Sequence, residues 1–211
     1  MLRVVERVLV ILVALVTTSM ASCIQPRPPV SPGNLDDGIP IQWPAYRFPL
    51  PIYVEDSVPG PAQTALQMAI MRWNDAVGYD VFYIERIVDW TWIGFYETYP
   101  RGTIPVTMME LGSTRDGRTQ LGLCQYTTSL RVPGMMIHAR ILIDDDLTRH
   151  GDLVSVFVHE LGHSVGLTHD PNIESIMFPE ALSSLKRLMP DDIEYVRSQV
   201  TGEYLSRSSV D

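Results

Sequence analysis

Histidine at 159, 163 and 169, with glutamate at 160 and glycine at 166, is the pattern in this chain that leaves the fewest folds open. His159 and His163 are four residues apart, so on an α-helix they project from one face, one turn above the other. Zinc takes nitrogen ligands at about 2.0–2.1 Å, and two histidines so spaced supply half of a tetrahedron. Glu160, beside the first histidine, is close enough to reach a water on such a metal without ligating it. After His163 the chain must turn back to deliver a third ligand. Gly166 stands where a helix end asks for a residue that tolerates positive φ, and His169 follows three residues later. Three protein ligands and one open position describe a catalytic zinc site rather than a structural one. An ordinary buried helix with two satisfied histidines would explain HExxH alone. It does not explain the glycine and the third histidine at these offsets.

Eight residues past His169 lies Met177, within Ser175-Ile-Met-Phe-Pro179. A methionine by itself is a packing residue. In this place it completes a pattern: His159, Glu160, His163, Gly166, His169 and Met177 resemble the zinc signature and methionine turn of the metzincin metallopeptidases. The short gap and the Met-Phe-Pro sequence resemble the matrixin branch most. Position 179 is proline where astacin-like enzymes place a tyrosine, and Asp170 stands where matrixins most commonly have serine. The resemblance implies a zincin-like catalytic domain of the α/β (α+β) class. Its sheet would be twisted and mostly parallel with one antiparallel edge strand, packed on a long first helix and a buried active-site helix, with a C-terminal helix. The resemblance also implies one catalytic Zn2+ held by His159, His163 and His169, with Glu160 as general base and Met177 supporting the metal from below. It covers roughly residues 45–201, with its specific motifs confined to 159–179.

Along the chain, Phe48–Val54 has strand character broken by Pro49 and Pro51, so it is expected as an edge-like first strand. Pro61 opens a helix on which Leu66, Ala69, Ile70, Trp73 and Val77 recur at helical spacing, and Gly78 closes it. Strands are expected at Val81–Ile84, Ile104–Met109, Gly122–Thr127 and Ile137–Asp144. Between the first and second of these, Trp90, Trp92, Phe95 and Tyr96 crowd an inserted segment expected to cover the core. By the family resemblance, Gly122, Leu123, Cys124, Gln125 and Tyr126 lie on the antiparallel edge strand above the zinc. An extended substrate could add there through main-chain bonds. Asp152 can cap the motif helix, whose flanking residues are apolar nearly all round. Pro190 starts the last helix, with Ile193, Val196 and Val200 on its inner face. Asp144, Asp145 and Asp146 raise a Ca2+ site as an idea, but their spacing matches no dedicated calcium loop. His138 and His150 lie outside the motif and read as surface or strand residues.

Residues 1–22 have the form of a bacterial-type export signal: Arg3 and Arg7, an apolar run from Val8 to Val16, then small and polar residues. Met20-Ala-Ser-Cys23 resembles a lipobox, which would leave a lipidated Cys23 as the new first residue; secretion after Ala21 or Ser22 is the alternative. Residues 23–44 are rich in proline and are expected as an extended tether, with the peptidase domain at 45–201 and a tail at 202–211. Cys23 and Cys124 are the chain's two cysteines, so no disulfide framework is expected. The formal charge of −9 argues against a nucleic-acid partner and against polybasic attachment to anionic lipid. The expectation is therefore a monomeric, exported zinc endopeptidase acting on proteins or peptides. It would be membrane-attached outside the cytoplasm through its lipidated N-terminus, or secreted if Cys23 is unmodified. A zinc-stabilised surface lipoprotein without turnover and a zinc amidase acting on cell-wall peptides are the competing readings.

Overall fold

Pro61, fixed at a helical φ and lacking a donor that a first turn leaves unused, opens α1, Gly60–Val77; Gly78 at φ 78° closes it. The computed structural model describes residues 19–21, 39–89, 101–112, 120–146, 152–179 and 186–203. Six strands form one sheet: β1 (Ser19–Ala21), β2 (Leu50–Glu55), β3 (Phe82–Val88), β4 (Ile104–Met109), β5 (Gly122–Thr128) and β6 (Met136–Asp144). Their order is β1-β5-β6-β4-β2-β3. The pairs β2–β3, β2–β4 and β4–β6 are parallel, whereas β5 is antiparallel to β6 and to β1. This is the mixed α/β sheet expected, mostly parallel with an antiparallel strand at its border. Helices α2 (Leu153–Ser164) and α3 (Pro190–Thr201) complete the fold.

The apolar positions of α1 do what their spacing asks. Leu66, Ala69, Ile70, Trp73 and Val77 are all buried, in one core with Leu50, Ile52 and Val54 of β2 and with Ile141 and Ile143 of β6. Trp73 is fully buried, and its indole N–H donates to the carbonyl of Val158 at 2.9 Å, so burial leaves its polar tip satisfied. That bond joins the centre of α1 to α2 one residue before His159. The motif helix is buried from Ser155 to Ser164, as its all-round apolar sequence requires.

Four features differ from the expectations. Strand β2 is internal, not an edge, because it pairs with β3 on one side and β4 on the other. Pro51 is accommodated because the β4 ladder begins only at Ile52, so the missing donor falls at a ladder's start. The packed chain begins before Ala45: Ile41 and Trp43 are 4% and 2% exposed within the main core, inside the stretch that composition assigned to the tether. The inner face of α3 is centred on Asp192, Tyr195, Val196 and Gln199, with Ile193 and Val200 only partly buried. The polar residues of that face meet backbone: Tyr195 donates to Ile41 O at 2.7 Å, and Gln199 accepts from Trp43 N at 3.0 Å and donates to Val165 O at 2.8 Å. Finally, Ser19–Ala21, expected within the leader, lies as strand β1 outside β5.

The apolar run 8–16, Cys23, the aromatic cluster at 90–96, His150 and the end of the tail lie outside the described residues.

Candidate metal centre

The side chain of Asp152 accepts the backbone N–H of Ser155 at 3.3 Å, capping α2 as expected. The helix then carries His159, Glu160 and His163, each 1% exposed, into the core. Past His163 the chain reverses, with Gly166 N bonded to His163 O at 3.0 Å and Leu167 N to Gly162 O at 3.1 Å. Gly166 has φ 91°, and a Cβ there would stand 1.9 Å from the carbonyl oxygen of Ile41. Both conformation and space therefore demand glycine. The reversal returns His169 to the first two histidines: their Nε2 atoms lie 3.0 Å (159–163) and 3.2 Å (163–169) apart.

Two backbone carbonyls determine what those nitrogens can do. His159 Nδ1 is 2.7 Å from Ile176 O, and His163 Nδ1 is 2.7 Å from Leu167 O. A carbonyl only accepts, so each Nδ1 carries the hydrogen and each Nε2 presents a lone pair. The Nε2 lone pairs of His159 and His163 face one another at 3.0 Å and repel unless a cation lies between them. A proton does not serve at neutral pH. Burial, then repulsion from its two neighbours, holds His159 well below the usual imidazole range; burial takes His163 to about 4, and burial with His163 beside it takes His169 to about 3. A metal fits. Zinc with four ligands at 2.0–2.1 Å places neighbouring donors about 3.3–3.4 Å apart, close to the separations here. Among the described residues this trio is the only group of three or more histidine, cysteine or acidic side chains positioned to share an ion.

Met177 is fully buried in a turn closed by Met177 N to Ser175 Oγ at 3.0 Å and Phe178 N to Ser175 O at 3.1 Å. A Cβ on Gly162 would fall 2.5 Å from its sulfur, so Met177 lies against α2 immediately before His163. The turn also acts through its neighbour, since Ile176 supplies the carbonyl that orients His159.

Glu160 reaches the opposite wall. A Cβ on Gly122 would stand 2.5 Å from its Oε1, and the backbone N–H of Cys124 donates to its carboxylate. Among the described residues Oε2 has no hydrogen-bond partner although it is buried. Burial pushes the carboxyl up to about 8 against the opposing effect of the Cys124 bond. Of the other β5 residues singled out, Gln125 is buried with its side chain bonded to Arg140 Nε, while Leu123 and Tyr126 are half-buried. The acidic cluster contributes no comparable arrangement. Asp144 is 5% exposed and already accepts from Leu111 N at 2.9 Å and Asp146 N at 3.0 Å, tying the end of β6 to a loop. His138 is half-buried on β6, and burial lowers its pKa.

Several contributors escaped the sequence reading. Trp43, Gln199 and the carbonyls of Leu167 and Ile176 each shape the site from another element, whereas Gly122 is expected from the sequence only as part of the substrate strand and not as the contact of Glu160. Only Trp43 left a trace: Ile39, Ile41 and Trp43 alternate with polar residues or proline, a period-two signal that the surrounding prolines obscured.

A comparison with curated proteins finds no match. The family model described as Matrixin matches residues 91–199, just over half of the chain, and its span runs through β4, β5, β6, α2 and α3. With its motif helix, histidine trio and methionine turn all inside that span, the chain belongs to the matrixin family.

Proposed function

We propose that this protein is a zinc endopeptidase that hydrolyses peptide bonds in proteins, with His159, His163 and His169 holding the metal and Glu160 as general base. The observation that carries the reading is Glu160 itself: a buried carboxylate one residue from a ligand, with one oxygen tied to β5 and the other without a partner. Burial raises this carboxyl to about 8 in the metal-free site, and a zinc held beside it would lower it towards the ionised form that a general base needs. Zinc, when bound, would activate a water and polarise the substrate carbonyl. Glu160 takes a proton at Oε2 and later returns it to the leaving amine. The Cys124 N–H keeps Oε1 in place, so Oε2 is the oxygen left to move the proton.

Substrate is proposed to add as an extended strand along β5. Support comes from β1, which lies antiparallel on this outer edge with Ser19 opposite Tyr126 and Ala21 opposite Cys124. If processing before Cys23 removes the leader, Ser19–Ala21 leave with it and the edge is vacated. The proposed location follows: outside the cytoplasm, held by a lipidated Cys23.

The test is incubation of the zinc-loaded protein with a mixed peptide library, with and without a zinc chelator, beside Glu160→Ala. Cleavage that stops with chelation, and falls by about 10²-fold to 10⁴-fold or more in a variant that still binds one zinc, is expected. Unchanged turnover in Glu160→Ala removes the assignment. Bound zinc with no cleavage of any peptide moves the reading to a cell-wall amidase or a binding protein.

A further inference from the structure

The C-terminal end of β5 opens into a groove of about 570 Å3 whose lining includes Tyr46, Arg47, Arg101, Thr128, Leu130 and Arg131. Three arginines meet there and no carboxylate lines the groove, on a chain whose formal charge is −9. Among the described residues none of the three forms an ion pair; the salt bridges there belong to Arg86, Arg187 and Arg197. Arg47 is held partly in place, with its guanidinium 3.4 Å from Arg101 O and 5.5 Å from the centre of the Tyr46 ring. The loop carrying Arg131 is organised by Ser129 Oγ, which accepts Arg131 N at 3.1 Å and Val132 N at 3.2 Å. Leu130 and Tyr46, 73% and 78% exposed, give the groove apolar flanks on which a side-chain stem can lie.

We propose that this groove is a recognition subsite for an acidic side chain of the substrate, upstream of the bond that is cleaved, read by Arg47, Arg101 and Arg131. The proposal rests on the peptidase reading above. Direction follows from strand register. A strand lying on β5 as β1 does runs from Tyr126 towards Cys124, and Glu160 stands against Gly122 and Cys124. The reacting bond is therefore near the Gly122 end, and the substrate's N-terminal side continues past Thr127 and Thr128 into the arginines. Strands pair residue for residue at about 3.4 Å each, which places the acidic side chain roughly four to six residues upstream of the cleaved bond. Guanidinium groups suit this task because their fork matches a carboxylate and they stay charged at every working pH.

The experiment uses the zinc-loaded chain processed before Cys23, in which the outer edge of β5 is vacated, and a peptide it cleaves, with Glu, Ala or Lys placed singly at each upstream position. The readout is kcat/KM as a Glu-to-Ala and a Lys-to-Ala ratio. Glu at one of the positions four to six upstream is expected to raise kcat/KM about threefold to tenfold over Ala and Lys to lower it, with the spread shrinking as salt is added. In Arg131→Glu the order inverts, so that Lys becomes preferred at that position. Ratios that stay flat at every upstream position overturn the subsite, as does an Arg131→Glu loss that is equal for Glu, Ala and Lys peptides. Cleavage with flat ratios removes the arginine subsite alone. Absence of any cleavage removes the peptidase reading and the subsite with it.

Discussion

At Gly122 the absence of a side chain is what lets Glu160 reach β5. A methyl group there would stand 2.5 Å from Oε1 and 2.8 Å from Cγ of Glu160, so the carboxylate would have to move. Gly122→Ala is therefore expected to lower kcat/KM by about 10²-fold, the usual penalty for misplacing a catalytic group by an ångström. Its zinc content should stay near wild type because the three histidines are left in place, while its melting temperature should fall by a few degrees because the methyl crowds a buried carboxylate. Measured activity within threefold of wild type would show that the carboxylate does not depend on this contact. Gly166 is the sterner case, with φ 91° and a neighbouring carbonyl at 1.9 Å from any Cβ. The motif supplied Gly166 from sequence alone; nothing in the sequence around Gly122 says which side chain will approach it.

Among the elements, the segment preceding β2 does more than its composition suggests. Trp43 is 2% exposed, its indole donates to Ser164 O at 2.8 Å, and its backbone N–H donates to Gln199 Oε1 at 3.0 Å. It thereby ties the end of the histidine-bearing helix α2 to α3. Trp43→Ala should cost about 3–5 kcal/mol, as removal of a buried tryptophan usually does, read by denaturant unfolding of the zinc-free protein. A chain trimmed to begin at Ala45 should lose at least as much, because Ile41 goes too. If the trimmed chain unfolds at the wild-type denaturant concentration, the segment is a tether after all. Helices α1 and α2 were legible from spacing because their partners are mostly apolar surface. The inner face of α3 was legible only at Val196, because the rest of it meets backbone through Tyr195 and Gln199, and such bonds leave no apolar period.

For the whole molecule, metal and pH act on one linked balance. In the metal-free protein the three histidines have folded pKa values below the ordinary 6.5, so the unfolded chain binds more protons and stability rises with pH up to about 6.5. Glu160 and Asp192 oppose this. Burial raises them to about 8 and about 6, so the folded chain holds the extra protons and their contributions fall as pH rises from the ordinary carboxylate range through those values. Between pH 5 and 6 three histidines outweigh two carboxyls by about one proton, whereas above 6.5 only Glu160 still titrates. Metal-free stability is expected to peak near pH 6–7, and in Glu160→Gln the decline from there towards pH 8 should vanish. Zinc should raise the melting temperature in proportion to the logarithm of its concentration over its Kd, and a chelator should reverse it. A metal-free melting temperature that is flat from pH 5 to 8 would mean that these groups are not buried as described.

The linear chain by itself determined the candidate chemistry and the main helices: the histidine trio 159, 163 and 169, the glutamate at 160 proposed as base, the glycine turn, the methionine turn, and α1 with its buried face. Those features are local, set by helical periodicity, fixed ligand offsets and the φ that only certain residues adopt. Folding alone decided what brings them to a working geometry. The central place of β2, the packing of Ile41 and Trp43 and the carbonyls that orient His159 and His163 join residues far apart in sequence. So do the closeness of Glu160 to Gly122 and the meeting of Arg47, Arg101 and Arg131 at one end of β5. Contacts of that kind are chosen by packing and strand order, which are properties of the whole chain rather than of any stretch within it.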